Sequence, residues 1–240
     1  MLTPINKDDM KKIRLIMITL LTGLMASCAV YVPSMPDIAR LEQKGDLELG
    51  ASATIQTGIE FSAAYSPVDH LGIQLYMGGL GIDDWPMLFR GAVGYYLPFD
   101  NRTTLAFYGG LSQGYSYYDG YSSIEDYVFQ SWFNTAFIEA DYGWRVCDWL
   151  EMSARLAGGA MWYTADHDRY YHNPESYDHE VLQQTVPILE PTLQLRFGTE
   201  HLKINVKAGW TWMPASTQFY FPLQFGVGLS LHLPTGTRLK

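Results

Sequence analysis

Three histidines and five carboxylates crowd the stretch ADHDRYYHNPESYDHE, residues 165–180: His167, His172 and His179 stand among Asp166, Asp168, Glu175, Asp178 and Glu180. Imidazoles and carboxylates together can hold a transition metal, or supply a general base with the acid that orients it. Their spacing follows no metal motif. No nucleophile elbow, phosphate loop or nucleotide fingerprint occurs elsewhere in the chain. The stretch therefore reads as a solvated acidic loop, with a surface hydrolase or metal-binding enzyme as the alternative. A flexible loop holds catalytic geometry poorly, so no catalytic, cofactor or metal residue is assigned.

The elements that would carry this loop follow a period of two, the mark of strands with two different faces. In HLKINVKAGWTW (201–212), Leu202, Ile204, Val206, Ala208, Trp210 and Trp212 alternate with Lys203, Asn205 and Lys207. Similar alternation covers 45–54, 57–66, 71–80, 87–98, 103–115, 128–146, 149–163, 185–197 and 219–233, ten strands in all. Eight remain if the first hairpin, with its tight TIQTG turn, does not form. Pro191 removes a ladder donor inside one strand and predicts a bulge.

Connections alternate in kind. Short turns with an acid occur at 66–72, 97–103, 145–151 and 197–203, while GIDDWPM, SYYDGYSSIED and the 165–180 stretch are longer and polar. Short turns on one rim and long loops on the other are the habit of bacterial outer-membrane barrels. Tyr65, Tyr95, Tyr142 and Trp144 precede short turns; Trp132, Trp162, Trp210, Trp212 and Phe219 lie near the long connections. Two such girdles suit the two interfaces of a membrane. The fold expected is an all-β, antiparallel, up-and-down transmembrane β-barrel.

If the apolar faces meet lipid, the opposite faces point inward. There Glu48, Glu60, Glu139, Asp141, Glu151 and Glu190 stand against Arg90, Arg145, Arg155, Arg196, Lys203 and Lys207. Buried charges are tolerated when paired and hydrogen-bonded, so these twelve are expected to form a rigid polar network filling the lumen. A narrow pore is the alternative.

The beginning of the chain raises a separate chemistry. Lys11, Lys12 and Arg14 introduce an apolar run, Ile13–Ala26, too short for the roughly 20 residues of a membrane helix. This is a secretory signal pattern. Its end, LMASC, resembles a bacterial lipobox, in which lipid joins the cysteine thiol and the chain is cut before it. Residues 1–27 then form a signal peptide, Cys28 carries covalent lipid, 28–44 form a tether and 45–240 the barrel. Cys147 remains without a partner, so no disulfide framework is expected. Beyond residue 27 the chain has 12 basic and 23 acidic residues, a net charge of −11. Nucleic acid, which needs a basic footprint, is excluded as a partner. Outer-membrane lipid is expected as one partner, and a membrane protein or surface ligand as another.

The segments CAVYVPSMPDIARLEQKGDLELGAS, AAYSPVDHLGI, FIEADYGWR and ILEPTLQLRFG resemble a group of Bacteroidetes outer-membrane lipoproteins. In that group a lipidated cysteine and a Tyr-Val-Pro segment precede a small barrel. The resemblance spans nearly the whole chain after Cys28. It implies the barrel fold and the outer membrane, but no activity and no catalytic residue. Surface-exported lipoproteins of that phylum carry acids soon after the cysteine. Here the first acid is Asp37, which implies a lipid in the periplasm-facing leaflet. The strand count puts the long loops outside, and the role expected is structural or one of surface interaction.

Overall fold

A computed structural model describes residues 31, 33–55, 57–80, 87–100, 102–121, 125–172, 175–214, 216 and 222–233. The expected signal peptide, Cys28, Phe219 and most of GIDDWPM lie outside the described residues. Ten strands alternate up and down: β1 (Leu47–Thr54), β2 (Gly58–Val68), β3 (Leu71–Leu80), β4 (Met87–Pro98), β5 (Thr103–Tyr121), β6 (Glu125–Cys147), β7 (Leu150–His172), β8 (Glu175–Gly198), β9 (Leu202–Trp210) and β10 (Leu223–Leu233). Every strand is antiparallel to its neighbours, and β1 closes the barrel against β10 from Leu47↔Leu233 to Thr54↔Gly226. Closure leaves no unpaired edge, which a membrane demands of any sheet. The first hairpin forms. Gly58, at φ +70°, supplies the left-handed residue that its tight turn needs.

Alternation sorts the side chains as the period predicts. On β10, Leu229 is 52% exposed on the outer face and the next residue, Ser230, is 4% exposed within the lumen. Tyr65, Tyr95, Tyr142 and Trp144 are exposed toward the short-turn rim, and Trp132, Trp162, Trp210 and Trp212 toward the opposite rim. The four short turns connect β2–β3, β4–β5, β6–β7 and β8–β9. In the second, the Asp100 carboxylate accepts the amides of Arg102 and Thr103, at 2.7 and 2.6 Å. Those two amides stabilise the anion and hold its pKa below the ordinary carboxylate value.

Two expectations change. Of the polar segments expected as loops, residues 116–121, 125–126, 165–172 and 175–180 are strand: β5 to β8 run 19, 23, 23 and 24 residues, roughly twice the 9–11 of a membrane crossing. Pairing continues from Trp132↔Thr164 up to Glu125↔Tyr171, and from Trp162↔Thr185 up to His172↔Glu175. Above the buried Phe129 and Ala165 most residues on both faces of these strands are at least partly exposed, so the apolar alternation ends although the hydrogen-bonded ladder does not. Pro191 makes no bulge either. β7 and β8 pair through it without a register shift. It sits where the β8–β9 ladder is interrupted, between Leu189↔Trp212 and Thr192↔Gly209.

Leu229→Arg should cost about 2–4 kcal/mol of folding stability, against about 0–1 for Leu233→Arg near the rim. Urea unfolding of the two variants in lipid vesicles measures the difference. Equal losses would contradict the lipid-facing belt.

Candidate functional site

The lumen is where the buried chemistry gathers, and a segment of the chain itself runs through it. Of the segment expected as a tether, residues 31 and 33–41 pass along the barrel interior, and 42–44 lie at the short-turn rim, where the Lys44 amide donates to Asp69. Tyr31, Ser34, Met35, Asp37, Ile38, Arg40 and Leu41 are all buried there. An extended chain has no helix or ladder to satisfy its backbone, and burial makes each unpaired group expensive. The wall supplies the partners. Lys207 Nζ donates to the Met35 carbonyl (2.6 Å), Arg155 Nη1 to the Pro36 carbonyl (3.2 Å) and Arg196 Nη2 to the Ile38 carbonyl. The Ile38 amide donates to Gln194 Oε1 (2.7 Å) and the Arg40 amide to Glu48 Oε2 (3.1 Å). Pro33 and Pro36 have no N–H, which removes two donors that would otherwise need acceptors.

The twelve charges expected in the lumen lie at three depths, and Arg155 Nε, 3.5 Å from Glu139 Oε2, joins the middle level to the upper one. Near the short-turn rim, Glu151 lies 3.2 Å from both Arg40 Nη1 and Lys203 Nζ and 3.3 Å from Arg145 Nε. Glu48 pairs with Arg196 at 2.5 Å. Arg145 is the one of the twelve that is only partly buried, and it also reaches Glu42 of the plug at 3.4 Å. At mid-depth, Lys207 contacts Asp37 Oδ1 at 3.1 Å and Glu60 Oε2 at 3.3 Å. Arg155 grips Asp141 with two nitrogens, at 2.7 and 2.9 Å. Higher still, Arg90 binds Glu139, donates to Ser34 Oγ (3.0 Å) and stands 3.5 Å over the Phe137 ring. Glu190 accepts from the Tyr31 hydroxyl at 2.9 Å.

Apolar contacts fix both ends of the plug. Tyr31 packs edge-on against Phe133, with ring centroids 5.0 Å apart, in a cluster with Met161, Tyr163, Val186 and Met213. Leu41 sits among Ala64, Ala92, Tyr96, Ala106 and Tyr108. Missing side chains make the room. A Cβ at Gly50 would collide with the Asp37 carboxylate, and one at Gly72 would meet Tyr108 and Leu41. Two residual spaces, of about 20 Å³ beside Arg40 and Glu42 and about 10 Å³ beside Pro36 and Asp37, are each near the size of one water.

The His/Asp stretch behaves differently. Above the girdle, His179 Nδ1 lies 2.8 Å from Asp168 Oδ1, which also accepts the Tyr177 hydroxyl at 2.5 Å. The Tyr177 bond, and then the His179 one, hold the Asp168 pKa below its ordinary value. The same bond, leaving a phenolate beside a carboxylate, pushes Tyr177 up to about 12. His172 pairs with Asp126 at 3.1 Å. His167 contacts the Arg169 guanidinium, and its pKa is lowered by burial and then by that cation. The three imidazoles thus go to separate partners, and no group of three or more metal-binding side chains converges among the described residues.

No protein-family model matches the chain, and no curated protein matches it by sequence. Among solved structures, the outer membrane protease OmpT from Escherichia coli is similar, with TM-score 0.52 and 10% identity over 79% of this chain and 94% of that one. Ail, the attachment invasion locus protein of Yersinia pestis, gives 0.37 and 12% over 79% and 99%. The N-terminal β-barrel domain of Pseudomonas aeruginosa OprF gives 0.35 and 12% over 80% and 100%. The likeness to OmpT is one of fold, a closed antiparallel barrel of the outer-membrane kind.

Lys207→Met leaves Asp37 and Glu60 facing each other without their cation and should cost about 3–5 kcal/mol. Adding Asp37→Asn should recover part of that loss, a non-additivity readable in a double-mutant cycle of urea unfolding. Strictly additive effects would mean that residue 37 is not seated against Lys207.

Proposed function

We propose that this chain is a bacterial outer-membrane protein, acylated at Cys28, whose role is to present two tall hairpins for surface interaction. The observation that carries the reading is the continuation of β5 to β8 far beyond the aromatic girdle. A barrel that served only as a wall would end at the interface. These strands instead raise a paired, rigid platform bearing the exposed rings of Tyr118, Tyr121, Tyr170 and Tyr177. Tyrosine offers large contact area with few rotatable bonds and a polar tip, which suits recognition of a surface ligand or a membrane-protein partner. The apolar outer belt and the two girdles support insertion in a bilayer, and the lipobox-like LMASC supports the anchor. The short turns then face the periplasm and the hairpins the exterior, the usual orientation of such barrels.

The plugged lumen weighs against a pore, since the strap and its charge partners occupy the path a solute would take. A surface hydrolase is the second reading, and the Asp168–His179 pair favours it: a carboxylate orienting an imidazole is half of a general-base arrangement.

Heat modifiability is the test. In detergent gels the unboiled outer-membrane fraction should migrate differently from the boiled one, and excision of residues 165–180 should preserve that shift while abolishing binding to the cell-surface ligand. A soluble, unshifted protein would overturn the barrel assignment. If His179→Ala abolished turnover of a peptide substrate while ligand binding persisted, the hydrolase reading would replace the interaction one.

A further inference from the structure

The direction of the plug has a consequence for the anchor. From Leu41 to Tyr31 the chain climbs the lumen away from the short-turn rim. Arg40 meets Glu151 beside the β6–β7 turn, Pro36 meets Arg155 at mid-depth, and Tyr31 meets Phe133. Phe133 is the inward neighbour of Trp132, an exposed ring of the upper girdle, so Tyr31 sits at the depth of the interface beneath the tall hairpins. Its position is held by the Glu190 hydrogen bond and by a buried apolar cluster.

Cys28 is three residues from Tyr31. A fully extended chain covers at most about 3.6 Å per residue, so the cysteine lies within roughly 11 Å of Tyr31 in any conformation. The opposite girdle is marked on β6 by Trp144, eleven residues from Phe133. At about 3.3 Å per residue and a tilt near 45°, that separation is about 26 Å of depth. Three residues cannot bridge it while Tyr31 stays seated. Among the described residues, β1, β2, β3, β9 and β10 have only 8–11 residues, so the strands on that side rise less far than β5 to β8.

We propose that the lipid on Cys28 enters the leaflet on the tall-hairpin side, so that the chain is threaded through its own barrel, from the hairpin face down to β1 at the short-turn rim. This rests on the acylation proposed above. It reverses the periplasm-facing anchor implied by the sequence resemblance, because that expectation treated residues 28–44 as a free tether. The anchor and the plug then act together: lipid holds one end of the strap, β1 holds the other, and the strap cannot leave the lumen toward either rim.

The experiment uses the full chain in cells that acylate it. One short epitope is placed between Ala29 and Val30, a second between His172 and Glu175 at a hairpin tip, and a third at Glu200 in a short turn, each in a separate copy. Fatty-acid incorporation, lost in Cys28→Ser, reports the acylation by itself, so its failure is distinct from failure of the threading. Antibody binding to intact and to permeabilised cells then reports sidedness. The 29–30 epitope is expected to follow the hairpin epitope, whichever way the barrel faces. If it followed the Glu200 epitope instead, threading would be overturned. Should the inserted chain lose its heat shift, Val30→Cys in a Cys147→Ser background, labelled with a membrane-impermeant maleimide, gives the same two outcomes.

Discussion

A polypeptide that passes through a barrel lumen must find a partner for every carbonyl and amide it buries, and that constraint organises this molecule. The solution is an irregular strap whose backbone is read by side chains. Lys207, Arg155 and Arg196 each donate to one strap carbonyl, and each also binds a carboxylate. Cations suit this double task because they carry several donors and no acceptor. The wall charges are therefore more than a mutually paired filler. They are the hydrogen-bonding groups that replace water along the strap.

The same constraint accounts for the composition of the wall. At Gly50 the inward residue is glycine because a Cβ would collide with Asp37 of the strap, and at Gly72 a Cβ would meet Tyr108 of the wall and then Leu41 of the strap. Where the strap turns its own apolar side chains outward, the wall answers with aromatics and aliphatics instead of charge, around Tyr31 above and Leu41 below. The lower apolar cluster lies beside the charges and not in a layer of its own: across the ladder Ala64 pairs with Glu48 and Ala106 with Asp141.

Most of the barrel was legible in the sequence because its lipid-facing and lumen-facing residues alternate without compromise, as in Leu202, Ile204 and Val206 against Lys203, Asn205 and Lys207. The twelve inward charges could be named for the same reason. What alternation could not show was what they face. Strap residues such as Asp37 and Arg40 belong to no periodic element, so they looked like linker. Two signals pointed inward without being decisive: Pro33 and Pro36 spare the strap two donors, and Phe129, Phe133 and Phe137 place large rings on the face opposite Trp132 and Ile138. A strand apolar on both faces has something apolar inside the barrel to pack against. The height of β5 to β8 was hidden for the converse reason. Above the interface no lipid imposes a period, and Asp168 and His179 on paired strands look no different from Asp and His in a loop.

The strap's attachments also bear on whether it could move. Pulling it from the lumen would strip the carbonyl partners of Lys207, Arg155 and Arg196 together, expose Asp37 and Arg40 to new surroundings, and open the apolar seats of Tyr31 and Leu41. These contacts are linked through shared carboxylates: Glu151 alone touches Arg40, Arg145 and Lys203. Loss of one contact therefore unpairs the next, and buried charges left without partners cost several kcal/mol each. A segment held this way is released all at once or not at all. It has the energetics of a core, which makes the strap part of what the barrel folds around.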